Sequence, residues 1–434
     1  MEHAAVTRRG LLALGAGASA TAIASCGPNA QSDSGSAADG ATELRMTWWG
    51  GETRRELTDA VVAEYTDVAP EVSVSTEPSE FSGYWDKLAT QTAAQDAPDI
   101  IQMEEAYLTE YAERGALLDL SAAGLDTSGF TEGLADAGVI EGAGQVGVRG
   151  GSNAPVMLVN PALFEEAGVD MPDDTAWTWD EQLAIAEEIA AASEGAYGTS
   201  QFVVNPVVFR LWLRQQGLGI WKDGELGFDV DAATAFFEFA DTVLNSEAGP
   251  AAEQTQEDNA GGIEQSLFAT GRQAMTVAWT NQSVAFGNAL GSDVALLRLP
   301  AAPGGAGDHQ MWLKPGIFWS VASSSAAPDV AVEFLNFLLN SPDSGKHLGV
   351  ERGSPPNTEV RDLVKGQLEG TELSTLEFVE AVTPEVGPDP EIAPMGGSVF
   401  ESLLERVGES FMFGQIDAEG AAQSMVDELG AAIS

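Results

Sequence analysis

Apolar and polar residues alternate in the first stretch of the chain that has a regular pattern, residues 44–49 (LRMTWW). This alternation predicts a half-buried strand, and the glycine pair at 50–51 ends it. Leu57, Val61 and Tyr65 then recur at four-residue spacing, which predicts an amphipathic helix. The main body of the chain is therefore expected to open with a strand followed by a helix.

The order of strand and helix continues along the chain to about residue 115. Strands are predicted at 72–74 and 100–103, and helices are predicted around 84–88 and 107–111. Strands that alternate with helices are typical of a mostly parallel sheet covered by helices. We therefore predict an α/β fold for this part of the chain.

A second series of elements begins after the glycine-rich stretch 142–151. The apolar run 156–159 (VMLV) predicts a short strand. Thr178 and Glu181 have the spacing of a capping box, in which each side chain accepts a backbone N–H at the start of a helix. Another amphipathic helix is predicted at 330–338 and ends at a proline. The chain thus carries two α/β series.

The extreme N-terminus has the pattern of an export signal. Paired arginines at 8–9 precede an uncharged stretch of Leu, Ala, Gly and Ser. This stretch is less apolar than a membrane-spanning helix, which needs about 20 apolar residues. The arginine pair indicates the twin-arginine export route. We predict a signal peptide at residues 1–25.

Residues 23–26 (IASC) resemble a bacterial lipobox, in which the cysteine receives a lipid and becomes the first residue after cleavage. Cys26 is the only cysteine of the chain, so it has no partner for an internal disulfide. The residues that follow are small and polar, which is typical of a flexible tether. We therefore predict a lipidated Cys26 and a tether over residues 26–41.

The formal net charge of −48 excludes one class of partner. Nucleic acid attracts basic surfaces, and this chain would repel it. We interpret the charge as a solvated acidic coat of the kind found in salty surroundings, and a sink for cations or a basic ligand is the alternative. The chain is also longer than one hydrophobic core usually supports, which favours two domains.

Patterns for catalysis and for cofactors are weak. Residues 142–147 (GAGQVG) match a dinucleotide-binding pattern, but the residues that follow are unsuited to the helix it requires. The three histidines, at positions 3, 309 and 347, are too few for a convincing metal cluster or hydrolase triad. We predict no catalytic residue, no metal and no cofactor, although paired carboxylates for glycoside hydrolysis stay open among 67 acidic residues.

Four segments follow one another over nearly the whole chain after the tether. The segments are Ala97–Leu120, Asn160–Val169 with Trp177–Glu181, Phe268–Met275, and Ala331–Phe337 leading to Gly353-Ser354-Pro355. Each segment is loose alone, but in their order and spacing they together resemble the extracellular solute-binding proteins of family 1, the group that includes the maltose-binding type.

The resemblance implies two α/β lobes, each a mostly parallel sheet flanked by helices, that close on a ligand in the cleft between them. Hinge crossings are then expected near 149–154, 299–303 and 336–341. The corresponding boundaries are residues 42–151 plus 301–338 for lobe 1, and 152–300 plus 339–434 for lobe 2.

The resemblance also implies a function. A protein of this kind is an importer's binding subunit, anchored outside the cell membrane, that passes a carbohydrate to the membrane permease subunits of an ATP-binding-cassette importer. It works as a monomer and catalyses no reaction. A binder of cationic peptides or polyamines, and a surface glycoside hydrolase, are the alternatives.

Aromatic residues are the first candidates for ligand contact, because sugars have flat apolar faces. Trp48 and Trp49 come at the end of the first strand, where ligands bind in open α/β folds. The alternation lets only one of the two face the core. Trp279 lies where the family often offers an aromatic ring, and Trp312 and Tyr84 are further candidates.

Polar candidates complete the predicted sugar site. Glu104 and Glu105 follow the strand 100–103, where sugar-binding relatives often carry acidic residues. Asn153 and Asn205 match positions at which the maltose-binding type has carboxylates, so the ligand of this chain is expected to differ. Arg352 is a candidate to donate to a pair of hydroxyls or to an acidic sugar.

Overall fold

The computed structural model describes residues 41–305 and 307–434. The predicted signal peptide, the lipidation of Cys26 and the tether up to residue 40 lie outside these residues. Among the described helices, none combines the length and the hydrophobicity that are needed to cross a membrane.

Strands and helices alternate up to Glu113, and runs of several strands or several helices follow. The strands are β1 (Thr42–Trp49), β2 (Val72–Ser79), β3 (Ile100–Met103), β4 (Val139–Ile140), β5 (Gly144–Gln145), β6 (Val148–Asn153), β7 (Pro155–Val159), β8 (Trp221–Lys222), β9 (Glu225–Leu226), β10 (Met275–Trp279), β11 (Ala295–Leu297) and β12 (Lys314–Val321). The helices are α1 (Glu52–Val68), α2 (Phe81–Ala93), α3 (Glu105–Glu113), α4 (Pro161–Ala167), α5 (Trp179–Ala192), α6 (Pro206–Gln215), α7 (Val230–Leu244), α8 (Ala252–Ala260), α9 (Ser283–Leu290), α10 (Pro328–Asn340), α11 (Pro342–Leu348), α12 (Thr358–Lys365), α13 (Gly370–Val382), α14 (Phe400–Met412) and α15 (Ala418–Ala432).

The first sheet has five strands in the order β2-β1-β3-β12-β6. β1 is parallel to both β2 and β3, as the sequence predicts for alternating strands and helices. β12 is antiparallel to both β3 and β6. Helices cover both faces, because residues of α1 and α10 share one core with β1, and residues of α2 and α3 share the other with β3.

The second sheet has three strands in the order β10-β7-β11, and both of its pairings are antiparallel. This differs from the mostly parallel sheet that was expected in each lobe. The reason is the path of the chain: β7 starts next to Ala154, and the residue after β10, Thr280, returns to donate its N–H to the carbonyl of Ala154 at 3.0 Å. A strand that comes back to the start of its neighbour runs opposite to it.

The two sheets have separate hydrophobic cores, which correspond to two lobes. Successive residues of β7 point to opposite faces, so that Met157 and Val159 pack with α5, α6, α7, α14 and α15, while Val156 and Leu158 pack with α9 and α13. Each sheet is thus covered by helices on both sides. The α/β class predicted from the sequence is confirmed.

The chain passes from the first sheet to the second through a very short connection. Only Ala154 lies between β6 of the first sheet and β7 of the second. The lobe boundaries predicted at 301 and 338 stay predictions. Two contacts are relevant to these boundaries. Trp312 lies in a core of the second sheet, and α11 packs against α1 of the first lobe.

The capping box predicted at the start of α5 is present. The backbone N–H of Thr178 donates to Glu181 Oε2 at 2.8 Å, and the N–H of Glu181 donates to Thr178 Oγ1 at 3.5 Å. Two backbone donors of the first turn are therefore satisfied locally. The start of this helix could be predicted from the sequence because Thr178 and Glu181 lie within one turn of each other.

Candidate functional site

A cavity of about 860 Å³ lies between the two lobes. This volume is near the upper end of the range of about 300–1,000 Å³ for small-molecule sites. The first lobe contributes the end of β1 and the starts of α2 and α3, and the second contributes the starts of α6 and α14 and part of α8. Strand ends and helix starts therefore position the lining.

Aromatic rings form the wall of the cavity on the first lobe. Trp49, Phe81 and Tyr107 line it, and Trp85 supports them from behind. Tyr107 stacks on Trp85 with 3.8 Å between ring centroids, and Trp49 meets Phe81 edge to face at 5.6 Å. Phe81 remains 50% exposed. Rings held by other rings present fixed apolar faces to a ligand.

The two neighbouring tryptophans of β1 have different places. Trp48 is fully buried in the core beneath the sheet, and Trp49 lines the cavity. Tyr84 is also buried, donates its hydroxyl to the carbonyl of Gln102 at 2.7 Å, and meets Trp49 edge to face at 5.2 Å. Trp48 and Tyr84 were both candidates from the sequence. Neither lines the cavity, because both side chains are buried in the hydrophobic core.

Glu104 lines the cavity, and each of its carboxylate oxygens already accepts a hydrogen bond from the protein. It caps α3 by accepting the N–H of Ala106 at 2.8 Å, and it accepts from Lys314 Nζ at 2.7 Å. Burial acts to raise the pKa of this carboxyl, but Lys314 and the cap outweigh burial, and the pKa of Glu104 is lowered. Glu104 is therefore a carboxylate fixed by its neighbours.

Glu105 faces a different partner across the cavity. Its carboxylate lies 3.9 Å from Nη1 of Arg210, which belongs to α6 of the second lobe. Burial raises the pKa of Glu105, and Arg210 and Lys314 offset only part of that shift. The distance is too long for a direct hydrogen bond. This pair is the closest approach of opposite charges between α3 and α6 in the described structure.

Polar groups of the second lobe face the aromatic wall. Asn205 lines the cavity and caps α6, where its Oδ1 accepts the N–H groups of Val207 and Val208 at 3.0 and 3.2 Å. Ser200 Oγ and Gln201 Oε1, also in the lining, have no hydrogen-bond partner among the described residues. Both atoms are buried, so neither is accessible to a ligand in this arrangement.

Trp279 and Trp312 lie together at a small side pocket that shares Arg210 and Lys314 with the cavity. Their rings meet edge to face at 5.9 Å, and the Nζ of Lys314 lies 5.3 Å from the ring centroid of Trp279. Trp312 is buried in the core of the second lobe. Both candidates border the site, but neither is in the lining of the main cavity, because they pack against each other.

Asn153 and Arg352 are held at the crossing between the lobes and do not line the cavity. Asn153 is 4% exposed and accepts from the Oγ1 of Thr280 at 3.4 Å. Arg352 is also 4% exposed and donates to Gln102 Oε1 at 3.2 Å and to Thr58 Oγ1 at 2.9 Å. These polar atoms are thus used within the protein, while Nη1 of Arg352 is buried and has no hydrogen-bond partner among the described residues.

Several lining residues were missed by the analysis of the sequence. They include Phe81, Tyr107, Arg210 and Lys314. The rings follow polar segments and carry no pattern that separates them from core aromatics. For the two cations a signal did exist, because only 19 of the 434 residues are Lys or Arg, so that each buried one needs an explanation.

Comparison with known proteins places the chain in a family context. The family model described as "Bacterial extracellular solute-binding protein" matches residues 60–369. A solved extracellular solute-binding protein of family 1 from Alicyclobacillus acidocaldarius is similar at 24% identity, with 91% of this chain and 98% of that chain covered and a TM-score of 0.72.

Two further solved structures share the fold. A periplasmic oligogalacturonide binding protein from Yersinia enterocolitica, in complex with saturated digalacturonic acid, is 21% identical over 90% of this chain and 98% of that chain, with a TM-score of 0.76. An ABC substrate-binding protein from Listeria monocytogenes, in complex with cycloalternan, is 21% identical over the same two shares, with a TM-score of 0.74. The two-lobe fold predicted from the sequence is confirmed.

Proposed function

This chain belongs to the bacterial extracellular solute-binding proteins, and on that premise we propose that its cavity captures a sugar or an oligosaccharide. Proteins of this family bind substrates outside the cytoplasm for ABC transporters and are not enzymes. In the proposed cycle the lobes close on the sugar, and the closed protein delivers it to the membrane permease subunits.

The observation that carries the proposal is the division of the lining into an aromatic side and a polar side. Trp49, Phe81 and Tyr107 offer ring faces, and Asn205 and Arg210 lie on the other lobe. Sugars match this division, because their apolar faces stack on rings while their hydroxyls bond to amides and guanidinium groups. The relatives bound to digalacturonic acid and to cycloalternan support a carbohydrate as ligand.

A binder of polyamines or cationic peptides is the second candidate. It is favoured by the excess of acids in the lining, where Asp258, Glu401 and Glu405 accompany Glu104 and Glu105. Against it, Lys314 neutralises Glu104 at 2.7 Å, and Arg210 lies close to Glu105. The two most buried carboxylates of the site are thus already faced by cations, which disfavours a cationic ligand.

Calorimetric titration of the full chain separates the candidates. The probes are maltose, maltotriose, cycloalternan, digalacturonic acid and spermidine, each at low and at high salt. We expect at least one saccharide to bind with an affinity that changes little with salt. Binding of spermidine alone, with a strong salt dependence, would favour the binder of polyamines or cationic peptides. Release of shorter products from a saccharide would indicate a glycoside hydrolase.

We also propose that residues 1–25 direct export by the twin-arginine route and that a lipid on Cys26 anchors the protein, as a monomer, to the outer face of the cell membrane. The lipobox pattern at 23–26 and the lone cysteine support this. A Cys26→Ser variant should move from the membrane fraction to the soluble exported fraction. If the variant stays with the membrane, the lipid anchor is refuted.

A further inference from the structure

Glu105 and Arg210 are two charged side chains of the cavity that lack direct hydrogen bonds. Their side chains are only 12% and 19% exposed, and the nearest carboxylate oxygen and guanidinium nitrogen lie 3.9 Å apart. Within residues 41–305 and 307–434, neither side chain makes a hydrogen bond to a protein atom. Both side chains line the cavity, where water can bond to them. A ligand that displaces this water must supply the same bonds, because charged groups withdrawn from water are costly unless they are bonded.

The neighbouring pair shows what a complete contact in the same cavity looks like. Glu104 accepts from Lys314 Nζ at 2.7 Å and from its own helix cap at 2.8 Å. Glu104 and Glu105 are consecutive, and both line the cavity. Each oxygen of the Glu104 carboxylate is therefore bonded within the fold, while the Glu105 carboxylate has no direct hydrogen bond and faces Arg210 on the opposite lobe.

The hydrogen-bonding properties of Glu105 and Arg210 indicate which ligand group can bond to both. A carboxylate only accepts hydrogen bonds, and a guanidinium only donates them. An amine on the ligand would satisfy Glu105 and be repelled by Arg210, and an acid would do the reverse. A hydroxyl group donates and accepts, so two adjacent hydroxyls can donate to the carboxylate and accept from the guanidinium together.

We propose that Glu105 and Arg210 form a clamp for a pair of adjacent hydroxyls on an uncharged sugar. The proposal rests on the proposed capture of a carbohydrate and names the part of the ligand that determines specificity. Glu105 starts α3 of the first lobe, and Arg210 lies in α6 of the second. Because the hydroxyl pair is bonded from both lobes, its binding favours the closed cleft over the open one.

Substitution of each side chain tests the clamp. Glu105→Gln, Arg210→Gln and the double variant are titrated with maltose, maltotriose, cycloalternan and digalacturonic acid, and their thermal unfolding is measured in the absence of sugar. Arg210→Lys retains the charge and the packing of the stem on Trp312, whose ring centroid lies 5.8 Å from the guanidinium carbon. This variant keeps the test valid if Arg210→Gln folds poorly.

A matched control lies on the same helix. Glu110 pairs with Arg114 at 2.5 Å, this arginine is 57% exposed, and neither residue lines the cavity. Glu110→Gln and Arg114→Gln therefore remove the same chemical groups from α3 and its C-cap without touching the site. Their affinity for each saccharide should equal that of the unchanged chain.

The expected result is a Kd about tenfold or more higher for the bound neutral saccharide in each single variant, with unfolding midpoints that stay close to the unchanged chain. The double variant should lose less than the product of the two single losses, because both groups hold one hydroxyl pair. Arg210→Lys should lose less than Arg210→Gln.

Other outcomes overturn the clamp in distinguishable ways. If the unchanged chain binds a neutral saccharide and the clamp variants bind it as well as the control variants do, the clamp is wrong and the capture of sugar stands. If digalacturonic acid binds more tightly than every neutral saccharide, the clamp for an uncharged group is wrong. If no saccharide binds, the proposed function fails and the clamp fails with it.

Discussion

Single residues of this protein owe their roles to the face on which they lie. Trp48 and Trp49 are adjacent in β1, and the pleat of the strand sends their indoles to opposite faces. Trp48 is enclosed by the core, and Trp49 borders the cavity beside Phe81. The same side chain thus serves folding at one position and ligand contact at the next.

Substitution of each tryptophan by alanine should separate these two roles. Trp48→Ala removes a fully buried indole, and we expect the free energy of unfolding to fall by about 3–5 kcal/mol. Trp49→Ala should cost less stability and raise the Kd for a bound saccharide about tenfold, since it removes a stacking face. Urea unfolding and calorimetry measure the two effects. Unchanged affinity in Trp49→Ala would count against the aromatic wall.

At the scale of elements, one ion pair ties the start of β12 to the start of α3. Lys314 is the first residue of β12, and Glu104 is the N-cap of α3. Their contact at 2.7 Å fixes the helix start from which Glu105 faces the second lobe. The pair therefore holds the geometry of the site and contributes to stability.

Lys314→Met should leave the carboxylate of Glu104 without its cation and lower the free energy of unfolding at pH 7 by about 3 kcal/mol. Because the pKa of Glu104 is lowered in the folded protein, its stabilising effect is complete above the ordinary value of 4.5 and is lost as the pH falls through the lowered value. The difference between the two proteins should thus shrink below about pH 4.5, as urea unfolding at several pH values would show.

Two further variants check this interpretation. The double variant Glu104→Gln with Lys314→Met removes both charges and should recover much of the lost stability. Lys365→Met removes a lysine whose pair with Glu380, at 2.6 Å, lies nearer the surface, and should cost no more than about 1 kcal/mol. A difference between Lys314→Met and the unchanged chain that grows on acidification would contradict the assignment.

At the scale of the whole molecule, the two lobes meet at a crossing where two glycines have no room for a side chain. A Cβ added at Gly151 in β6, or at Gly316 in β12, would overlap the carbonyl oxygen of Arg352. Ser152 and Ser354 exchange two backbone hydrogen bonds of 2.8 Å beside it. Three segments of chain are therefore in contact at this crossing, and any change in the angle between the lobes must act on them.

Gly316→Ala should destabilise the protein by about 1–3 kcal/mol, since the new methyl group forces a shift of the Arg352 carbonyl. Gly366→Ala is the matched control. Its φ is −67°, and an added Cβ meets its nearest atom at 3.5 Å, which is ordinary contact. The control should change stability by less than about 1 kcal/mol. Equal unfolding midpoints for the two variants would refute the tight crossing.

The sequence by itself determined the elements and the family. The alternation of β1 and the capping box of α5 were predictable because each depends on residues within one or two turns of chain. The order and spacing of four segments were enough to indicate the family that matches residues 60–369, and with it the two-lobe fold. Trp49, Glu104 and Glu105 were candidates from their positions at the ends of strands, and Asn205 was a candidate from its match to a position of the maltose-binding type. All four line the cavity.

Only the tertiary structure decided which groups meet. Glu105 and Arg210 are 105 positions apart, and Glu104 and Lys314 are 210 apart, so no local pattern relates them. Packing buried Trp48, Tyr84 and Arg352 and left Phe81 and Tyr107 at the cavity. The antiparallel pairing of the second sheet was likewise set by the route of the chain back to Ala154. Local propensity acts over a few residues, whereas a binding site is formed where distant segments pack together.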